Sequence, residues 1–181
     1  MKKVKIILVG PLKCGKSTIA NFLSEAIDYN IDNYRPTPGI RVLEYEINND
    51  RNDIEIELWD CSGDEKYEQF WPVFSWNAQG VVLVFNPEVK EQLMELERMY
   101  ENFVAKNMIS NNNALIIANC KDPELKLPVP ELSGPVASLS YVNSNVMENG
   151  DELRSAFQNF VFNIQTDVKD YELDDLSVLL S

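Results

Sequence analysis

The stretch VKIILVGPLKCGKSTIANFLSEAI, residues 4–27, decides the fold. Its first six residues, Val4–Val9, are short, β-branched and largely apolar on both faces, as a strand buried in a parallel sheet should be. Gly10 ends that run. From Lys16 onward Ile19, Ala20, Phe22, Leu23 and Ile27 recur at helical spacing, so a helix over 16–27 lays one apolar stripe on the sheet. Between strand and helix lies Gly10-Pro-Leu-Lys-Cys-Gly15-Lys16-Ser17, which fits G-x-x-x-x-G-K-[ST] in the context that makes the pattern credible. A phosphate chain needs many donors at close range. The glycines let the backbone curl inward, so that the N–H groups of Lys13, Cys14, Gly15, Lys16, Ser17 and Thr18 and the positive helix end meet an anion. Lys16 then reaches the outer phosphates and Ser17 offers its hydroxyl to Mg²⁺. A chance glycine turn is the competing reading, and it leaves the flanking strand and helix unexplained.

Outward from this stretch the alternation continues. IRVLEYEI (40–47) and IEIELWD (54–60) flank the turn-rich NNDRND and read as a hairpin. GVVLVFN (80–86) and ALIIAN (114–119) are buried strands, and the spacing of Leu93, Leu96, Met99 and Tyr100 predicts a helix over Val89–Val104 between them. A short strand near Ala137–Val142 and an amphipathic helix over Glu152–Ile164 close the chain. The expected fold is α/β, a mostly parallel six-stranded sheet with helices on both faces, in which ligands sit beyond the carboxyl ends of the strands. One domain over 1–166 accounts for the pattern. The acidic and apolar tail, 167–181, is expected to be mobile or to dock on a partner.

A net charge of −13 with no basic run argues against nucleic acid and anionic membrane surfaces, and favours a basic partner surface. No apolar run approaches the roughly 20 residues of a spanning helix. The N-terminus is unlike a signal peptide, and neither end carries a lipidation motif, so a cytoplasmic protein without lipid anchor or transmembrane segment is expected. Cys14, Cys61 and Cys120, with no histidine in the chain, suit neither a disulfide scaffold nor a zinc site. They fall in loops expected at one end of the sheet. A redox-sensitive cluster is one reading, and inert packing as small hydrophobes is the other.

Two further motifs fall at strand ends. Trp59-Asp60-Cys61-Ser62-Gly63 is a D-x-x-G, which sets the Asp60 carboxylate near the metal and a Gly63 amide near a γ-phosphate. Asn119-Cys120-Lys121-Asp122 puts Asn119 and Asp122 three residues apart, a spacing that can hold guanine, with Asp122 accepting from the N1 and N2 hydrogens. A polar turn leading into Pro123 is the alternative there.

With these motifs in order, and Thr37-x-Gly39 ahead of the hairpin, the chain resembles the Ras superfamily, and within it the Rab-like branch, over almost its whole length. The resemblance implies the P-loop small G-protein fold, GTP/GDP and Mg²⁺ as cofactors, and Ser17, Thr37 and Asp60 around the metal. It also implies that Asp60 and Gly63 belong to the second switch, Asn119 and Asp122 to base recognition, and Ser144 and Asn145 to the short loop supporting the base. The stretches YRPTPGIRVLEYE, ELWDCSGDEKYEQFWP and GVVLVFN are similar to the Rab-like members that serve the intraflagellar transport B complex. That implies a binding subunit working in the cilium or flagellum, with the coiled-coil core subunits of the complex as partners.

The chain departs from the pattern at three places. Asp64 stands where the family has the glutamine that orients the attacking water, and an ionised carboxylate accepts hydrogen bonds but donates none, so hydrolysis should be slow or absent. Cys120 displaces the usual base-motif lysine, leaving Lys121 one position late and guanine selectivity open. Pro123, Pro128, Pro130 and Pro135 occupy the region where the family has a helix, so that helix is expected to be missing.

Three functional readings follow. In the first the nucleotide gates a binding surface rich in Tyr67, Phe70, Trp71, Phe74 and Trp76. In the second the chain is an active P-loop phosphohydrolase. The third is a constitutive structural subunit that uses the nucleotide as a folding ligand.

Overall fold

The computed structural model describes residues 2–26, 36–48, 53–122 and 130–179, with the backbone alone at Lys2 and over 165–179. A six-stranded sheet forms its centre, in the order β2-β3-β1-β4-β5-β6. The strands are β1 (Lys2–Val9), β2 (Ile40–Asn48), β3 (Asp53–Cys61), β4 (Gly80–Phe85), β5 (Ala114–Asn119) and β6 (Ser140–Ser144). Only β2 runs antiparallel, paired with β3 from Ile40↔Cys61 to Asn48↔Asp53. The expected hairpin, alternation and parallel sheet are all present.

The period of two along β1 sends its side chains into two separate cores. Val4, Ile6 and Leu8 pack with Ile19, Ala20 and Leu23 of α1 (Lys16–Leu23) and with Leu153, Phe157, Val161 and Ile164 of α4 (Gly150–Leu179). Ile7 and Val9 face the other way, onto Trp71 and Phe74 of α2 (Trp71–Ser75) and Leu96, Met99 and Tyr100 of α3 (Lys90–Tyr100). A single π-type turn, Glu101–Ala105, prolongs α3 and buries Phe103 and Val104, so the stripe expected as far as Val104 is present.

Several element ends differ from the sequence pattern for local reasons. α1 stops at Leu23 because the Ser24 hydroxyl takes the Ala20 carbonyl at 2.8 Å and Glu25 turns to a left-handed φ of 54°. Ile27, expected on its stripe, lies outside the described residues. β6 begins three residues later than expected, after a short 3₁₀ turn, Gly134–Ser138, which fills the space before it. Of the prolines that speak against a helix here, Pro123 and Pro128 lie outside the described residues, Pro130 lies in irregular chain and Pro135 in the 3₁₀ turn. α4 continues to Leu179, past residue 166 where the domain was expected to end.

At the sheet edge β2 shows Val42, Glu44, Glu46 and Asn48 to solvent on one face. Lys3 draws Glu44, Glu55 and Glu57 together at 2.8, 3.3 and 2.8 Å. Charges of this kind blunt an exposed edge against pairing with other chains.

Candidate functional site

The carboxyl ends of β1, β3, β4 and β5 bring the three motifs to one rim of the sheet. Register fixes this: Leu8 lies beside Asp60, Val9 beside Leu83, and Phe85 beside Ala118.

At the phosphate end, the chain leaves β1 at Gly10 and enters α1 through Gly15, whose φ of 96° is open to glycine alone at low cost. A Cβ at Gly15 would also run into the Asn119 amide. Lys16 is buried, and its ammonium donates to the Gly10 and Pro11 carbonyls at 2.9 and 2.8 Å, so the buried charge of the loop arches back over its opening. Lys13 is left-handed, at φ 62°, and Thr18 is exposed on the first turn of α1. Gly63 sits hard against the loop: a Cβ there would meet the Gly10 carbonyl, with Pro11 C at 2.7 Å and Leu12 N at 2.8 Å. That close approach is why the D-x-x-G motif ends in glycine.

Asp60 is fully buried. Its Oδ2 accepts from Thr37 Oγ1 at 3.4 Å and from Arg41 Nη2 at 3.3 Å, and Ser17 Oγ lies 2.9 Å from Thr37 Oγ1. Burial raises the Asp60 carboxyl above its ordinary range, opposed by Ser17, Arg41, Lys16 and Thr37. Among the described residues its Oδ1 is buried without a hydrogen-bond partner, a costly state for a carboxylate. Two hydroxyls and an orphaned carboxylate oxygen form the hard, sparse oxygen set that suits Mg²⁺. Among the described residues no group of three or more His, Cys, Asp and Glu could hold a metal instead. Ser17, Thr37 and Asp60 therefore fit the ion. When bound, Mg²⁺ supplies positive charge that neutralises phosphate oxygens.

In the motif expected to hold the base, Asn119 is buried and donates through Nδ2 to the Cys14 carbonyl at 3.0 Å, tying the end of β5 to the P-loop. Lys121 reaches the Lys13 carbonyl at 2.7 Å. The lysine that arrives one position late in sequence thus still braces the loop. Asp122 is exposed at the rim. Ser144 pairs with Asn119 in register, is buried, and accepts the Cys120 amide through its carbonyl at 2.8 Å. Asn145 spends its side chain on the Met147 amide at 3.0 Å, in the turn that leads into α4.

Three supporting residues escaped the sequence reading. Gln92 of α3 accepts the Asn86 amide at 2.7 Å and donates to the Leu12 carbonyl at 3.0 Å, joining β4 to the P-loop. Arg41 is the cation beside Asp60. Glu88 accepts the Lys121 and Asp122 amides at 2.7 and 3.0 Å. None belongs to a motif, and only register or loop packing could have found them.

Asp64 accepts the Lys66 amide at 3.1 Å and pairs with the Lys66 ammonium at 2.8 Å, and these contacts hold its carboxyl below the ordinary range. It caps the 3₁₀ turn Glu65–Phe70. Burial pushes the Cys14 thiol up and the Cys61 thiol up to about 12. The Cys120 thiol is raised too, by burial and by Glu88. Raised thiols stay protonated at neutral pH, which favours packing over redox sensing.

The aromatic cluster divides in two. Trp71 and Phe74 point inward, with Trp71 5.0 Å from the Phe103 ring and capped by Arg98. Phe70, Val73 and Trp76 are 44%, 62% and 71% exposed and form an apolar patch beside the second switch. Lys5 is buried, stacks on Trp59 and donates to the Trp76 carbonyl at 2.7 Å.

A P-loop, a buried Asp60 facing two hydroxyls, and a base motif braced on the P-loop define a small GTPase domain. The chain belongs to the Ras family, whose model matches residues 5–169. Over nearly its full length it is similar to an intraflagellar transport protein 22 homolog of Bos taurus, 37% identical over 186 residues that cover 99% of this chain and 100% of that protein. The Homo sapiens homolog is 38% identical over 173 residues, 91% of each chain. The GTP-bound crystal structure of T. brucei IFT22/74/81 superposes with a TM-score of 0.79 at 31% identity, covering 94% of this chain and 99% of that one. GDP-bound T. brucei IFT22 gives 0.74 at 31% identity, over 92% and 98%. No helix among the described residues is long and apolar enough to cross a membrane.

Proposed function

We propose that this chain binds GTP and GDP with Mg²⁺ and serves as a docking subunit of the intraflagellar transport B complex in the cilium or flagellum, with little or no hydrolysis of its own. The observation that carries this reading is the buried Asp60, with an orphaned oxygen beside the Ser17 and Thr37 hydroxyls at the mouth of the P-loop. Relatives crystallised with GDP, and with GTP in a complex with IFT74 and IFT81, support both the ligand and subunits of that kind as partners.

In this mechanism Lys16 and the amides of Lys13–Thr18 bind the phosphates, Asn119 and Asp122 orient the base, and Thr37 and Gly63 sense the outermost phosphate. Ordering of the segments around Thr37 and Gly63 exposes a defined surface to a partner. Hydrolysis needs a group that orients water, and Asp64 is instead committed to Lys66 and the cap of its turn. Single-turnover GTP hydrolysis is therefore expected below about 10⁻⁴ s⁻¹.

The partner surface includes Phe70, Val73 and Trp76. Trp76→Ala should weaken binding to the core subunits while leaving GTP affinity and thermal stability unchanged. Trp71→Ala, on the inner face, should lose about 3–5 kcal/mol of stability instead. Isothermal titration of GTP-loaded and GDP-loaded protein against those subunits reads the effect. Equal binding by both forms, retained in Lys16→Ala, would favour the constitutive structural subunit.

A further inference from the structure

The geometry points to Glu88 as the positioning residue of the base-reading loop, through a carboxylate that gathers Cys120, Lys121 and Asp122 and so sets the guanine-reading Asp122. The inference rests on the guanine-binding reading above and adds a residue from outside every nucleotide motif.

One oxygen, Glu88 Oε1, accepts the Lys121 amide at 2.7 Å, the Asp122 amide at 3.0 Å and the Cys120 thiol at 3.2 Å. Charge-assisted bonds of this kind are short, and here they fix the backbone of Lys121 and Asp122 and the side chain of Cys120 at once. Glu88 is itself held, because its amide donates to Asn86 Oδ1 at 2.9 Å. Asn86 is buried and gives its own amide to Gln92, which donates in turn to the Leu12 carbonyl. Lys121 closes the circuit by donating to the Lys13 carbonyl at 2.7 Å. A continuous hydrogen-bonded ring therefore runs from the P-loop through Gln92, Asn86 and Glu88 to the base loop and back to the P-loop.

The ring gives a physical account of the displaced lysine. Cys120 occupies its usual position and turns its thiol to Glu88, while Lys121 takes over the brace on the P-loop. Glu88 is exposed, and the slight desolvation that works against ionisation is outweighed by the bonds from Asp122, Cys120, Lys121 and Asn86, which hold its carboxyl below the ordinary range. An acceptor that stays ionised at neutral pH keeps all three donors engaged.

The test compares the affinities of the full-length chain for GTP and ATP, measured by isothermal titration for wild type, Glu88→Ala, Glu88→Gln and Asp122→Ala. ATP reports the phosphate end, since adenine offers Asp122 no matching donors. Glu88→Ala should weaken GTP binding by about tenfold and change ATP binding by less than about twofold, moving the GTP:ATP ratio toward that of Asp122→Ala. Glu88→Gln keeps an acceptor for both amides and should retain GTP affinity within about threefold of wild type. Thermal midpoints close to wild type would show that the variants are folded. An equal loss for both nucleotides, or no loss for either, would overturn the positioning role while leaving guanine binding intact. A wild-type chain that does not prefer GTP to ATP would overturn the guanine reading itself, and the role of Glu88 with it.

Discussion

The two ends of the nucleotide site keep to the family pattern to different degrees. At the end expected to hold the phosphates, Gly15 takes a φ only glycine adopts cheaply, Lys16 is buried over the loop, and Asp60 is fully buried. At the base end the pattern has drifted, with Cys120 in the lysine position and Lys121 one residue late, yet the loop is still braced on Lys13. The difference follows from burial. A buried charge or a glycine pressed against backbone has few replacements, because each alternative leaves an unpaired charge or a clash. At an exposed rim a long side chain reaches the same acceptor from a neighbouring position, and a carboxylate such as Glu88 adds support from another loop.

Substitutions at the two ends should therefore differ in size. The largest effect is expected for Lys16→Ala, which removes the buried ammonium of the P-loop; GTP affinity should fall at least about 100-fold by titration calorimetry. Retained affinity would break the contrast at once. Asn119→Ala acts on both ends, since Asn119 braces Cys14 as well as the base. A loss of about 10- to 30-fold in GTP affinity is expected, with a lower thermal midpoint because the buried Cys14 carbonyl loses its donor. Smallest is Cys120→Lys, which restores the family residue. With Lys121 already on the Lys13 carbonyl, GTP affinity should change by less than about threefold. A gain well beyond that would mean that Lys121 does not replace the missing lysine.

Much of this architecture was legible in the sequence, because strand and helix periodicities are local and the P-loop motif needs only its flanking elements. Ala114–Asn119 could be read to the residue, since a run buried on both faces has sharp ends. α1 was read too long, because the Ser24 and Glu25 conformations that end it leave the apolar spacing intact. The aromatic loop showed that a surface was present but not which rings formed it. Trp71 opens a short helix that turns it inward, Trp76 follows the end of that helix, and the inward face depends on Phe103 and Arg98, about 30 residues further along the chain. The roles of Arg41, Glu88 and Gln92 were hidden for a related reason. Each acts across a gap in sequence, from β2 to β3, from the β4 loop to the β5 loop, and from α3 to the P-loop.

The central claim is that a site with a well-kept phosphate end and a rebuilt base end still selects guanine. Affinities for GTP, GDP, ATP and ADP, measured side by side on the same preparation, test it most directly. The account predicts that both guanine nucleotides bind at least about tenfold more tightly than their adenine counterparts, the margin expected when a polar site is left unpaired by the wrong base. Equal affinity for guanine and adenine would contradict it, and would mean that Asn119 and Asp122 brace the loop without reading the base.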